Sequence, residues 1–254
     1  MKISKKILAI TAVMAWFLMT GSTNECNGNF SDGDGYYDGD YGVITGLVKE
    51  SDLKTGIDGA EVSLVGYYQY ATTHDGGQFI LEKVPLGEHI IRIKHEDYMT
   101  KEITNVRISG GETIPLNNIY LKDIYVDNVS AYEKASNISY VLGKPDNRCL
   151  SIENGGYAVL DLGSSEEAAD GYTFADFYVG FKDASIDTAN VLISVSNYET
   201  GPFQRCEWNS EGVSLTGTGL SKAQYIKIEY SAGEAEGVTP VEIDYIRVLN
   251  YEIY

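Results

Sequence analysis

The chain has 254 residues, of which 37 are Asp or Glu and 19 are Lys or Arg, giving a formal net charge of −18. A surface this acidic makes nucleic acid and anionic lipid poor partners. The same composition supplies 20 tyrosines and 27 glycines but only three histidines and three cysteines, so metal or nucleophile chemistry built on His and Cys has little material to work with.

Lys2, Lys5 and Lys6 precede an apolar run from Ile7 to Met19 and the small residues Thr20, Gly21 and Ser22. That is the pattern of a secretory signal peptide over residues 1–21. The run of 13 residues is shorter than the roughly 20 that a spanning helix needs, and no other stretch approaches that length, so no transmembrane span is expected. Cys26 lies where a lipoprotein carries its acylated cysteine. The preceding Thr23-Asn24-Glu25 match that signal poorly, so cleavage near Gly21 or Ser22 is expected, with a lipid anchor at Cys26 as the alternative. Either outcome puts the protein outside the cytoplasm, secreted or at the cell surface, and with the anchor it is a periplasmic or outer-membrane lipoprotein. Residues 22–41 are Gly, Asn, Ser and Asp with interspersed Tyr, an acidic Gly-rich linker without core periodicity. Its Asp32–Asp40 stretch looks like a calcium loop, but Tyr36, Tyr37 and Val43 stand where such a loop wants an oxygen ligand, a Gly and a Glu.

From Gly42 to Lys122 short alternating segments are separated by turns. Ile57-Asp58-Gly59-Ala60-Glu61-Val62-Ser63-Leu64 puts Val62 and Leu64 on one face of a strand, Thr73-His74-Asp75-Gly76-Gly77-Gln78-Phe79 turns into the next, and Val84-Pro85-Leu86-Gly87-Glu88-His89 follows. These segments resemble the carboxypeptidase regulatory-like domain. The resemblance implies a transthyretin-like, antiparallel β-sandwich over residues 42–122, a non-catalytic module serving as spacer. Two positions depart from the pattern: His74 stands where an acid is common, and Asp97 precedes Tyr98 where a Gly is usual.

After Lys122 longer strands are expected near 124–130, 156–162, 172–181, 189–197, 223–231 and 241–250. Val191, Ile193 and Val195 share one face, as do Ile226 and Ile228. No stretch carries a helical stripe, so the half reads as an antiparallel two-sheet sandwich. In order, Tyr140–Asp146, Gly155–Gly163, Ala175–Val179, Ile193–Asn197, Ala223–Ile228 and Val241–Ile246 resemble the segments of galactose-binding-like, or discoidin-like, jelly rolls. That resemblance implies a jelly roll over residues 123–254 that binds an extracellular glycan or a cell-surface protein through loops at one end. It further implies a structural calcium, for which Asp127 and Asp244 are the candidate ligands.

The candidate ligand contacts are Tyr140, Asp146, Arg148 and Trp208. An aromatic face supplies stacking area for a sugar while its polar edge tolerates water, and Asp146 and Arg148 offer hydrogen bonds to hydroxyls. Packing of Trp208 at a sheet edge and a turn role for Asp146 are the competing readings. Cys149 and Cys206 are expected to form a disulfide in an oxidising compartment, against the alternative of two separate buried thiols. No histidine is set with an acid and a nucleophile, and neither a zinc pair nor a Gly-x-Ser-x-Gly elbow occurs. The chain therefore reads as an all-β, non-catalytic binding protein of the cell exterior. Its alternatives are a structural surface or matrix protein that docks another protein and, from a third class, a hydrolase with a paired carboxylate.

Overall fold

A computed structural model describes residues 41–253 apart from 165, 172–174, 184–186, 210, 234–236 and 252. The expected signal sequence and linker, up to residue 40 and including Cys26, lie outside the described residues. Among the described residues every regular element is a strand or a short 3-10 turn, and no helix is long and apolar enough to cross a membrane.

The first sandwich comprises β1 (Tyr41–Glu50), β2 (Glu61–Leu64), β3 (Tyr70–Thr72), β4 (Gln78–Pro85), β5 (Gly87–His95), β6 (Tyr98–Ile108) and β7 (Thr113–Leu121). One sheet has the order β4-β1-β7 and the other β3-β2-β5-β6. Their inner faces bury Ile44, Val48, Val62, Leu64, Phe79, Leu81, Ile91 and Ile93 in one core, as the alternation of Val62 and Leu64 requires. The motif residues have identifiable work. Thr73 Oγ1 accepts from the Ala60 amide at 2.8 Å and donates to the Ile57 carbonyl at 2.6 Å. Asp58 Oδ1 accepts from the amides of Gly76 and Gly77. Gly77, at φ +89°, lies so close to β1 that a Cβ would stand 2.0 Å from the Val48 carbonyl oxygen, which leaves glycine as the residue that fits. The sandwich is not wholly antiparallel: β1 and β7 run parallel, with Ile44 beside Ile114 and Val48 beside Ile119. A parallel pair needs a crossover, and the passage of the chain through the second sheet provides it.

The second sandwich comprises β8 (Asn128–Ser136), β9 (Leu150–Asp161), β10 (Ala168–Ala169), β11 (Phe177–Phe181), β12 (Val191–Ser196), β13 (Gln204–Arg205), β14 (Glu207–Asn209), β15 (Gly212–Ser214), β16 (Lys222–Ala223), β17 (Tyr225–Tyr230) and β18 (Val241–Val248). Its strand order is β13-β12-β17-β9-β18-β11-β15-β14, with β8 on β9 and a separate β10–β16 pair, all antiparallel. β9 belongs to both layers. Its residues 156–161 pair with β17 and its residues 150–152 with β18, and the bend between them falls at Gly155, φ +75°. The layers close over Leu150, Ile152, Leu160, Phe177, Val179, Ile193, Val195, Ile226, Ile228, Ile243 and Ile246. Each such side chain contributes about 1.5–3 kcal/mol of hydrophobic stabilisation. The strand expected at 124–130 begins instead at Asn128, because Ile124, Tyr125 and Val126 are buried consecutively. A crossing segment enclosed on all sides shows no alternation.

The expected bridge between Cys149 and Cys206 does not form; both are free, buried thiols. Cys206 packs into the second core with its amide on the Ile193 carbonyl, whereas Cys149 precedes β9 on the side of Asp244 and Glu242. Burial, then the charge of Asp176, pushes the Cys206 thiol up to about 12.

The two cores meet along a seam built by the β5–β6 turn. Met99 is buried among the residues of the second core. Asp97, the departure noted in the sequence, accepts a hydrogen bond from Tyr125 Oη at 2.9 Å and pairs with Lys144 Nζ at 2.7 Å. The Thr100 amide donates to Tyr251 Oη at 3.1 Å, and Arg247 donates to the Glu96 carbonyl at 2.9 Å.

Candidate functional site

Between β8 and β9 the chain makes a 3-10 turn, Ile138–Val141, entered through Asn137 in the left-handed region. Val141 is fully buried and anchors the turn, which leaves Tyr140 on the outside, 37% exposed. Asp146 then forms a side-chain turn: its Oδ1 accepts from the Arg148 amide at 2.9 Å, and its Oδ2 from Arg148 Nε at 2.6 Å. The guanidinium lies over the Tyr140 ring, 5.0 Å from its centroid. Three of the four predicted contacts therefore stand together. Arg148, as hydrogen-bond donor and charge, holds the Asp146 carboxyl below the usual carboxylate range.

Two elements outside the loop fix it. From β18, Asp244 Oδ1 accepts from the amides of Asp146 and Asn147 at 3.2 and 3.0 Å. From the first sandwich, Asp97 holds Lys144, whose ammonium also lies over the Tyr98 ring at 5.1 Å. Burial opposes ionisation of Asp97, but the hydrogen bonds from Lys144 and Tyr125 and the Lys144 charge outweigh it and keep the carboxyl below its ordinary range.

Trp208, the fourth candidate, is engaged by the protein itself. It sits on β14, its Nε1 donates to the Val191 carbonyl at 3.3 Å, and its ring packs against Phe181 with centroids 5.6 Å apart. Asp127 and Asp244 are not brought together, so the calcium implied for that pair does not fit as one site. The Asp127 amide bonds the Asp161 carbonyl at one end of β9, while Asp244 follows Ile243, which pairs with Leu150 at the other. Asp127 stands instead with Asp123 and Glu166, one carboxylate oxygen from each lying within 4.8 Å of the others. Burial pushes Asp123 up to about 6 against the opposing hydrogen bond from the Tyr125 amide. Burial and then the Asp127 charge push Glu166 up as well.

Two groups were missed from the sequence. Asp123 and Glu166 are far apart in the chain, and only the fold unites them. Tyr67, Tyr68 and Tyr70 form an aromatic tip on the β2–β3 hairpin, 50%, 100% and 68% exposed, beside a pocket of about 290 Å3 that Arg92 and Lys94 also line. The run Gly66-Tyr67-Tyr68-Gln69-Tyr70 between two strands carried that signal, since three aromatics at a turn leave no room for all to pack inward.

Residues 43–122 match the family model of the carboxypeptidase regulatory-like domain, which bears out the first resemblance read from the sequence. Comparison with curated proteins finds no match. Among solved structures, a type II cohesin–X-dockerin complex from Acetivibrio cellulolyticus is 22% identical over 32% of this chain and 58% of that one, with a TM-score of 0.28. This chain spans little more than half the length of that protein and of a second cohesin complex, at 51%. A candidate carbohydrate-binding protein from Bacteroides uniformis is 11% identical over 83% of this chain and all of the other, TM-score 0.29. The major pilin subunit of Bacillus cereus is 9% identical over 84% of this chain and 60% of that one, TM-score 0.30. Likenesses this loose assign no function, which has to be argued from the residues themselves.

Proposed function

We propose that the protein is a non-catalytic binding protein of the cell exterior whose second sandwich engages a glycan through Tyr140, Asp146 and Arg148. The observation that carries this reading is the double fixation of the loop. An exposed aromatic ring, a guanidinium and a carboxylate are held in one arrangement by Asp244 on one side and by Asp97 through Lys144 on the other. Preorganised loops on a rigid sandwich lose little ordering entropy on binding. The galactose-binding-like resemblance supports the ligand class, and the match of residues 43–122 supports a non-catalytic first module. That module does more than space the second, because Asp97 positions the binding loop.

A glycan array followed by titration tests the reading. One stacked ring and a few hydrogen bonds to hydroxyls give dissociation constants on the order of 0.1–1 mM, and Tyr140→Ala removes the binding while Tyr68→Ala leaves it. The exposed Tyr67, Tyr68 and Tyr70 favour a second reading, a structural surface protein that docks another protein through this hairpin. Silence across a broad glycan panel overturns the first reading in favour of the second.

A further inference from the structure

We propose that Asp123, Asp127 and Glu166 form a binding site for a divalent cation of calcium's size, placed where the two sandwiches join. Glu166 is 4% exposed. Its Oε1 faces Lys122 Nζ at 3.3 Å, but among the described residues its buried Oε2 has no N–H or hydroxyl donor and faces only the carboxylate of Asp127. A buried carboxylate oxygen left unpaired is costly, and its direction shows what would satisfy it. A Cβ placed on Gly163 would stand 2.2 Å from Asp127 Oδ2 and 2.5 Å from Glu166 Oε2. The two oxygens thus converge above a glycine at φ +92° whose lack of a side chain keeps the space between them open. Asp123 contributes the third oxygen within 4.8 Å.

Three carboxylates face one ammonium here, and Asp52, Glu50 and Asp161 add to the negative field. Asp161 is already occupied: its Oδ1 accepts from the Gly163 amide and from Gln224 Nε2, each at 2.9 Å. An ion taking Glu166 Oε2 leaves Oε1 to Lys122, so the ammonium and the cation need not compete for one atom. Calcium binds oxygen at about 2.3–2.6 Å, and two ligands opposite one another on it stand about 4.8 Å apart. Magnesium demands about 2.0–2.1 Å in a near-ideal octahedron and sheds its water reluctantly, so it is seldom held by a cage of protein carboxylates alone. The donor set therefore suits calcium. It also crosses the seam. Asp123 bridges to Tyr98 at the start of β6, whereas Asp127, Gly163 and Glu166 belong to the second sandwich, so the ion would fasten the two together.

Calcium chloride titrated calorimetrically into the chelator-treated whole chain, with thermal melting in parallel, tests the assignment. One equivalent of calcium binds and raises the melting temperature, since an ion held by the folded state alone stabilises it by mass action. Asp123→Asn and Glu166→Gln weaken binding by about tenfold or more, as loss of a charged ligand does, while leaving the melting temperature in chelator near that of the wild type. Should Glu166→Gln fail to fold, Asp127→Asn at the exposed member of the set carries the comparison. The proposal is overturned by a wild-type chain that shows neither heat nor a melting shift with calcium, by unchanged affinity in the variants, or by magnesium binding as tightly as calcium.

Discussion

Two buried carboxylates of the second sandwich are treated in opposite ways. Asp176 is fully buried and saturated: Oδ1 accepts from the Gly171 amide and Asn250 Nδ2, and Oδ2 from Ser214 Oγ and the Leu215 amide. Those donors come from the ends of several strands, so one side chain knots together the start of β11, the end of β15 and the segment after β18. Glu166 is nearly as buried, yet among the described residues one of its oxygens has no hydrogen-bond donor. A satisfied buried acid is part of the scaffold, while a half-satisfied one beside two more acids marks a place prepared for something else.

The largest expected effect comes from breaking the saturated member. Asp176→Ala strands several buried donors at once and costs about 3–5 kcal/mol in urea unfolding; a variant that unfolds at the wild-type midpoint would show that the knot is incidental. Glu166→Gln sharpens the contrast from the other side. In chelator it replaces an acid whose ionisation burial and the Asp127 charge already oppose by a neutral side chain of the same shape, and its stability stays within about 1 kcal/mol of wild type. A loss as large as that of Asp176→Ala would make the two acids alike.

The smallest effect concerns Asp97, an acid satisfied from across the seam. Its folded pKa lies below the ordinary value of 3.8, so its contribution is present in full above that pH and is lost as pH falls through the folded value. The stability difference between wild type and Asp97→Asn accordingly shrinks on acidification from pH 7 toward pH 3. A difference constant across that range would mean that the Lys144 and Tyr125 contacts do not depend on the charge of Asp97.

Much of the scaffold was legible because half-buried strands announce themselves: Val191, Ile193 and Val195 on β12 and Ile226 and Ile228 on β17 alternate as read. β8 was misplaced since its nine residues, Asn128–Ser136, contain no fully buried position and so carry no alternating signal, while the apolar trio before it imitates a strand. Tyr140, Asp146 and Arg148 were legible as a group because a single loop holds them. Asp244 was read as a metal ligand, but the structure uses its carboxylate to cap two backbone amides of that loop, a role that depends on register with Leu150. The cysteine spacing allowed a bridge, and it is the packing of Cys206 among core residues that decides otherwise. Glu166 was illegible because its meaning rests on a missing Cβ at Gly163 and on a lysine 44 positions earlier in the chain.

The division of β9 between two layers bears on the order in which the molecule assembles. The first sandwich has all its strands once Leu121 has been made, and its core closes on partners already present. β9 must wait for β17 and β18, which lie far downstream and take up its two halves separately. The first sandwich holds a pairing of equal reach, Ile44 with Ile114, so it is the order of synthesis that readies it before the second as the chain grows. The unfinished half then emerges beside a completed neighbour whose Met99 side is already waiting for it.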